Sequence, residues 1–289
     1  MKRFAKKTLL FTLFFAIFFA LTNISFLGLL EYTEVNFKKI LQSLKFDNPD
    51  YKLLVLGTSF AEYGIDTELV TSEGIKSFNL ALEGASFETS YYQLNNYLSK
   101  YSIRPRYVLL VFNTTKELQQ TDGIHPIIDF TREDYKFVLK DAPIFKFNWL
   151  GTELIKKLLS SKHRKARLSY GQVKFTKSTP DNTDYKEINL NVKGIESIHW
   201  IEEIAHLCDK NRIEMIIIGI PGFKETQNLS GTGPYILQFN TGCSALFYNF
   251  NSRDFCTIFD SNKDWIGNSH LNEIGAKKFT KELIGVLKK

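Results

Sequence analysis

The sequence is poor in cysteine and lacks the cysteine spacings that bind metals. Its three cysteines are Cys208, Cys243 and Cys256, with no CxxC pair and no Cys/His cluster at zinc-site spacing. We therefore expect no metal and no cofactor. Cys208 falls on the helical apolar stripe of Ile201 and Ile204, which predicts a core position. Cys243 and Cys256 pair if the compartment is oxidising, or are two unconnected small residues; the sequence leaves both open.

The chain also lacks a strong net charge outside its N-terminus. The formal charge is +6, but the first 30 residues carry four positive charges and no acid, which leaves +2 for the rest. A nearly neutral remainder gives no reason to expect nucleic-acid binding. There are no internal repeats. At 289 residues and 44% hydrophobic content, the chain is long enough for one large α/β domain or two small ones.

Charge is absent altogether from Thr8 to Leu30. A helix of this length spans about 34 Å, enough to cross a hydrocarbon core of roughly 30 Å. Lys2, Arg3, Lys6 and Lys7 precede the run and predict that its N-terminal end stays in the cytoplasm. We expect residues 1–30 to be a single-pass anchor in membrane lipid, residues 31–50 a connector, and the rest extracytoplasmic. A cleaved signal peptide is the alternative, although its apolar region is usually shorter and ends at a small-residue site.

From residue 51 onward, short apolar runs alternate with helical patterns. Strands are predicted at 51–57, 74–82, 105–113 and 213–221, with a fifth at 254–260. Helices are predicted at 86–102 and 194–211, and a terminal helix follows His270. Continuous apolar strands between helices indicate a doubly wound, mainly parallel α/β sheet in one domain, 51–289.

A polar stretch of the chain interrupts this alternation at about 114–191. Residues 131–142 and 148–161 have helical patterns, and a basic cluster follows, made of Lys162, Arg164, Lys165 and Arg167. We interpret the stretch as an insertion over the sheet. The cluster is either a solvated surface or a contact for anionic lipid or glycan.

Three predicted strand ends carry residues that suit a site, because ligands of open α/β sheets bind beyond the carboxyl ends of the strands. These residues are Ser59 after the first strand, Gly84 after the second and Asn113 after the third. Taken alone, Ser59 is better explained as a helix N-cap than as a nucleophile. His270, before the terminal helix, adds a base, and the four together are the parts that acyl transfer needs.

Three short blocks carry a family resemblance. "LGTSFAEYGI", "FNLALEGAS" and "HLNEIGAKKFT" resemble the first, second and last blocks of the SGNH/GDSL hydrolase superfamily, and in particular its membrane-anchored members found with bacterial surface-polysaccharide genes. The resemblance implies a flavodoxin-like sheet, Ser59 as nucleophile and His270 as base. It also implies an oxyanion hole made of the Ser59 and Gly84 N–H groups and the Asn113 amide.

Two positions depart from the family pattern. The third block is normally Gly-x-Asn-Asp, whereas "VFNTT" offers only Asn113. The family places an aspartate three residues before the histidine, and here that position is Gly267. Asp264, or else Asp260, is expected to orient His270 if the intervening loop folds back. Without an acid, a Ser–His dyad would remain, at a lower rate.

Together these features predict a membrane-anchored, extracytoplasmic serine esterase or O-acyltransferase. Its expected substrate is an O-acyl group, most simply O-acetyl, on a surface glycan, and a transferase would need a membrane protein to supply acyl groups. The alternative is a catalytically silent scaffold of the same fold that binds a glycan or a membrane acyltransferase complex. Gly267 favours that alternative.

Overall fold

The computed structural model describes residues 1–44, 46, 49–113, 123–128, 143–146, 151, 155, 167–176, 178, 186–223, 225–229, 231–267 and 269–288. The predicted helices at 131–142 and 148–161 lie almost wholly outside these residues, as do three members of the basic cluster. The chain divides into two compact units. The first takes in Met1–Leu44 and the described part of Asp129–Lys165, and the second Lys45–Ile128 and Ala166–Lys289.

The first unit is built on the apolar N-terminal helix α1, Lys2–Thr33, followed by α2, Val35–Leu44. Among the described residues, α1 is the one helix long and apolar enough to cross a membrane. Its apolar side chains from Phe4 to Ile24 are largely exposed, which is unlike a core helix. In its C-terminal half, the buried Asn23 side chain accepts a hydrogen bond from the Ile144 N–H of a short helix α6, Pro143–Lys146.

The second unit contains a six-stranded sheet with the order β2-β1-β3-β7-β10-β9. The strands in that order are Ser77–Asn79, Leu53–Gly57, Tyr107–Phe112, Glu214–Gly219, Ser244–Asn249 and Tyr235–Gln238. The first five are parallel, and β9 pairs antiparallel with β10 at the edge. Taken in chain order, the parallel strands have the flavodoxin-like arrangement 2-1-3-4-5. The predicted doubly wound, mainly parallel fold is confirmed.

Helices cover both faces of this sheet. The helices are α3 Ser59–Gly64, α4 Thr67–Ser72, α5 Phe87–Lys100, α7 Val192–Glu196, α8 His199–Lys210, α9 Arg253–Cys256 and α10 Glu273–Leu287. Leu54 and Leu56 of β1 join a core with α5 and α8, while Leu53 and Val55 join a second core with α3 and α10. This alternation along one strand explains why β1 is apolar throughout, since both faces of the sheet are buried.

Smaller paired strands complete the second unit. A hairpin joins β4, Arg167–Ser169, to β5, Gln172–Lys174, and β6, Lys186–Ile188, pairs with β8, Glu225–Gln227. A last two-stranded ribbon, β11 Trp265–Ile266 and β12 His270–Leu271, leads into α10.

Two secondary-structure predictions are wrong. Residues 254–260, predicted as a fifth strand, begin with helix α9 instead, because Ser252 Oγ accepts from the Phe255 N–H and caps it. The fifth parallel strand is β10, Ser244–Asn249. The helix predicted over 194–211 is two helices, α7 and α8, separated at Ile198, whose backbone is extended (φ −83°, ψ 110°).

The three cysteines are free. Cys208 is buried in the core, as predicted. Cys243 lies 3.9 Å from His206 Nδ1, and the Cys256 thiol donates to Asn251 Oδ1 at 3.6 Å. The two thiols that were candidates for pairing therefore have different partners.

Candidate active site

The end of β1 is shaped by Gly57. Its φ is +134°, and a Cβ added there would overlap the carbonyl oxygen of Val111 on the neighbouring β3. Only glycine fits such a close approach without strain. The chain then turns through Thr58 and starts α3 at Ser59.

Thr58, and not Ser59, is the N-cap of α3. Its side-chain oxygen accepts from the Phe60 N–H at 3.4 Å. The N-cap interpretation of Ser59 is therefore wrong, and its hydroxyl has a different partner.

That partner is His270. Ser59 Oγ lies 2.7 Å from His270 Nε2, across 211 positions of sequence. The imidazole is carried on β12, where His270 pairs with Ile266 of β11. Asn272 then caps α10 by accepting from the Ile274 and Gly275 N–H groups, which fixes where the helix begins.

Aromatic rings of α3 hold the imidazole. The Phe60 ring stacks on it at 4.5 Å between centroids, and the Tyr63 ring meets it edge-on at 5.2 Å. Burial lowers the pKa of His270 from its ordinary 6.5, an effect partly opposed by the carboxylate of Glu83. The imidazole is therefore neutral at pH 7 and able to accept a proton.

The second ring nitrogen of His270 contacts a hydroxyl. Nδ1 lies 2.8 Å from Ser269 Oγ. A neutral imidazole has one N–H. When Nε2 accepts a hydrogen bond from Ser59, the N–H is therefore at Nδ1, and it donates a hydrogen bond to Ser269 Oγ. Ser269 was missed in the sequence; its only signal was its place directly before His270.

Asp264 does not take its predicted place beside His270. Its side chain is fully buried, and Oδ2 accepts from the Asp260 N–H at 2.7 Å and from Lys278 Nζ at 2.6 Å. The turn over 260–264 and the packing of Gly275 against the Asp264 Cβ direct this carboxylate towards α10.

Asp260 and Gly267 complete this correction. Asp260 Oδ1 accepts from the Asn262 N–H, and its other oxygen pairs with Lys263, so it does not reach the imidazole either. Gly267 has φ +57° and shapes the turn between β11 and β12.

The predicted oxyanion donors lie at the ends of β1, β2 and β3. The N–H groups of Ser59 and Gly84 have no acceptor among the described residues. Gly84 sits in a turn with φ +74°. The Asn113 amide is buried and donates to the Ile220 carbonyl at 2.9 Å, which ties β3 to the end of β7. The role of all three as oxyanion donors stays a prediction.

Two buried side chains tie the β2 turn to α3. Asn79 donates to the Ala61 carbonyl and accepts from the Ala81 N–H, while Glu62 accepts from the Glu83 N–H at 2.7 Å. These bonds fix the turn that carries Gly84 relative to the helix that carries Ser59.

Glu83 is a charged neighbour of the site that sequence reasoning missed. Burial, together with the nearby carboxylates of Glu62 and Glu83, raises the pKa of the Tyr63 hydroxyl well above its usual range. Glu83 also opposes the burial that lowers the pKa of His125 and His270. Its signal in the sequence was its position directly before Gly84.

Among the described residues, no group of three or more His, Cys, Asp or Glu side chains could hold a metal ion.

No family model and no curated protein matches the chain. Similar solved structures include a Bacteroides fragilis protein named as an acylhydrolase (10% identity, TM-score 0.40, 87% of this chain and 96% of the other). A Streptococcus pneumoniae protein named for platelet activating factor has 13% identity and a TM-score of 0.41, and the match covers 90% of this chain and 94% of the other. A GDSL-like lipase from Bacteroides thetaiotaomicron has 10% identity and a TM-score of 0.39, and the match covers 88% of this chain and 98% of the other. Likenesses this distant carry no argument about function.

Proposed function

We propose that the protein is a serine esterase or O-acyltransferase of the SGNH type, with Ser59 as nucleophile and His270 as general base. One observation carries the proposal: a hydrogen bond of 2.7 Å joins Ser59 Oγ to His270 Nε2 at the carboxyl end of β1. That end borders the point where the strand order reverses, where open α/β sheets bind ligands.

Acylation follows from this geometry. His270 Nε2 takes the proton of the Ser59 hydroxyl while Oγ bonds to the ester carbonyl carbon. The carbonyl oxygen becomes an oxyanion, for which the Ser59 and Gly84 N–H groups are the proposed donors. The bond to the alcohol then breaks, and the alcohol leaves with the proton held on Nε2, so that an acyl-serine remains.

Deacylation repeats the steps with a second hydroxyl. Nε2 takes a proton from water or from a sugar hydroxyl, whose oxygen attacks the acyl carbon, and Ser59 leaves with that proton. Water as acceptor makes the protein a hydrolase, and a sugar makes it a transferase. The chemistry at Ser59 is the same for both.

We further propose that the acyl group is carried by a surface glycan and that α1 anchors the protein in membrane lipid. The exposed apolar length of α1 and the four cationic residues in its first two turns support a cytoplasmic N-terminus and an outward-facing site. A transferase would also need a membrane protein as acyl donor. Protease added to spheroplasts should then digest the chain beyond Leu30, and protection of the whole domain would refute this orientation.

The catalytic proposal is tested with the full chain in detergent. We expect p-nitrophenyl acetate hydrolysis, lost in Ser59→Ala and kept in Ser99→Ala, which removes an exposed hydroxyl of α5. An added oligosaccharide that becomes acetylated would identify a transferase. Equal rates for wild type and Ser59→Ala would contradict the proposal.

A silent scaffold of the same fold is the second candidate. It is favoured by the neutral partner of His270 Nδ1, since Ser269 cannot compensate the charge of an imidazolium as a carboxylate does. A scaffold would bind a glycan or a membrane complex without turning over any ester. The same assay separates the two, because a scaffold leaves wild type and Ser59→Ala equally inactive.

A further inference from the structure

A groove runs along the outer face of α10, starting next to the candidate site. Its volume is about 300 Å³, and it is lined by Thr176, Glu273, Ile274, Lys277, Lys278 and Lys281. From Glu273 to Lys281 the helix rises about 12 Å, at 1.5 Å per residue. The groove thus extends from three residues after His270 over the first half of the helix.

Packed side chains connect the groove to the imidazole. The Glu273 N–H, at one end of the groove, donates to the Phe175 carbonyl at 2.9 Å. The Phe175 ring packs edge-on against Tyr63 at 5.1 Å, and Tyr63 meets His270. Thr176 in the groove wall directly follows Phe175, so the residues that line the groove adjoin those that hold the imidazole.

The acids in and below the groove are already paired. Glu273 Oε1 lies 2.7 Å from Arg167 Nη2, and the Asp264 carboxylate lies 2.6 Å from Lys278 Nζ. Each pair is close to neutral, so neither offsets the remaining lysines.

Lys277 and Lys281 are the exposed cations that remain. Neither has an acidic partner among the described residues. They stand four positions apart on one helix face, a spacing at which like charges repel and destabilise a helix. Ile274, half exposed beside them, adds an apolar surface. The packing of α10 explains neither the two charges nor the apolar patch.

We propose that this groove binds an anionic stretch of the substrate, namely an acidic polysaccharide whose O-acyl group reaches Ser59. The inference rests on the proposed function and names the substrate class of the same site. Carboxylates along the polymer would pair with Lys277 and Lys281, and the C–H faces of the sugar rings would lie on Ile274. A neutral glycan would lack the ionic contacts.

The test compares an anionic and a neutral acetylated polymer with the full chain in neutral detergent. Acetate release is measured from O-acetylated polygalacturonate, acetylated xylan and p-nitrophenyl acetate. Lys277→Gln/Lys281→Gln should lower kcat/KM for the polygalacturonate about 2- to 30-fold, from exposed ion pairs of roughly 0.2–1 kcal/mol each. The same double variant should leave kcat/KM for acetylated xylan and for p-nitrophenyl acetate unchanged.

A matched control carries the same change of charge. Lys193→Gln/Lys210→Gln removes two exposed lysines, from α7 and α8, and should not discriminate between the polymers. Raising NaCl from 50 to 500 mM should weaken the polygalacturonate reaction of wild type and of this control more than that of Lys277→Gln/Lys281→Gln.

Binding of unacetylated polygalacturonate to Ser59→Ala, by calorimetry, tests the groove without turnover. Binding that the Lys277→Gln/Lys281→Gln changes weaken supports the groove even if no ester is hydrolysed, in which case only the proposed function fails. Unweakened binding, or equal kcat/KM losses on all three substrates, overturns the inference. The inference is also overturned if the Lys277→Gln/Lys281→Gln changes weaken binding to anionic lipid vesicles but leave polygalacturonate binding intact. That result would make the groove a lipid contact.

Discussion

Replacing Ser269 by alanine measures what the neutral partner of His270 contributes. The change removes the only acceptor that the described residues offer to His270 Nδ1–H, at 2.8 Å. A neutral hydrogen bond contributes about 0.5–1.5 kcal/mol, which corresponds to about a 2- to 13-fold loss of rate. Removing the carboxylate function of a Ser-His-Asp triad costs on the order of 10⁴-fold, so the two arrangements predict clearly different results.

The assay is steady-state hydrolysis of p-nitrophenyl acetate by Ser269→Ala, with Ser99→Ala as the control hydroxyl deletion. We expect the loss to fall on kcat, with KM unchanged, because Ser269 orients the imidazole and does not contact the ester. Unchanged kcat would show that another group orients His270. A loss of 10³-fold or more would show that Ser269 does more than accept one hydrogen bond. Either result would refute the reasoning.

Four further predictions concern stability and the pH dependence of catalysis. Asp264→Asn should lower the free energy of unfolding by about 1.5–3 kcal/mol, because hydrogen bonds to a charged group are lost. The Tm should fall by about 3–12 °C and kcat should not change. A large loss of kcat at unchanged Tm would show that Asp264 is the acid that orients His270. The kcat/KM of wild type should fall only below pH 6.5, because burial lowers the pKa of His270. In Glu83→Gln this fall should move to still lower pH, since a charge that stabilises the imidazolium is gone; a move to higher pH would contradict it. Gly57→Ala should destabilise the protein by about 1–3 kcal/mol or more, from strain at φ +134° and overlap with the Val111 carbonyl, and an unchanged melting curve would contradict this.

The central strands were predictable because they are buried on both faces. β1, β3 and β7 are continuous apolar runs. Short runs of this kind in an α/β chain are typical of central parallel strands. β10 lies next to the edge strand β9, and its side chains alternate between buried and partly exposed. Its weaker pattern was lost among the polar residues that surround Cys243.

The strand predicted at 254–260 failed for a local reason. Phe255, Ile258 and Phe259 have the composition of a strand, but Ser252 before them caps a helix. The segment therefore starts as a short capped helix in spite of the apolar pattern that follows.

Sequence position was enough to suggest that Ser59 and His270 meet, because the fold brings strand ends and the start of the last helix together. The partner of Nδ1 was not predictable, since it depends on how one short loop turns. Residues 260–264 close a turn on the Asp264 carboxylate, which leaves Ser269 beside the ring. Nor was Glu83 predictable, since its effect on His270 exists only once the β2 turn is tied to α3.

The most direct test of the account is covalent labelling of the nucleophile. The full chain is treated with a fluorophosphonate, which phosphonylates activated serines, and the modified residue is located by mass spectrometry of its peptides. We predict one adduct, on Ser59, with loss of p-nitrophenyl acetate hydrolysis in proportion to labelling, and no adduct in His270→Ala. Labelling of a different serine, or hydrolysis that persists when Ser59 is fully modified, would contradict the assignment of Ser59 and His270 as the reacting pair.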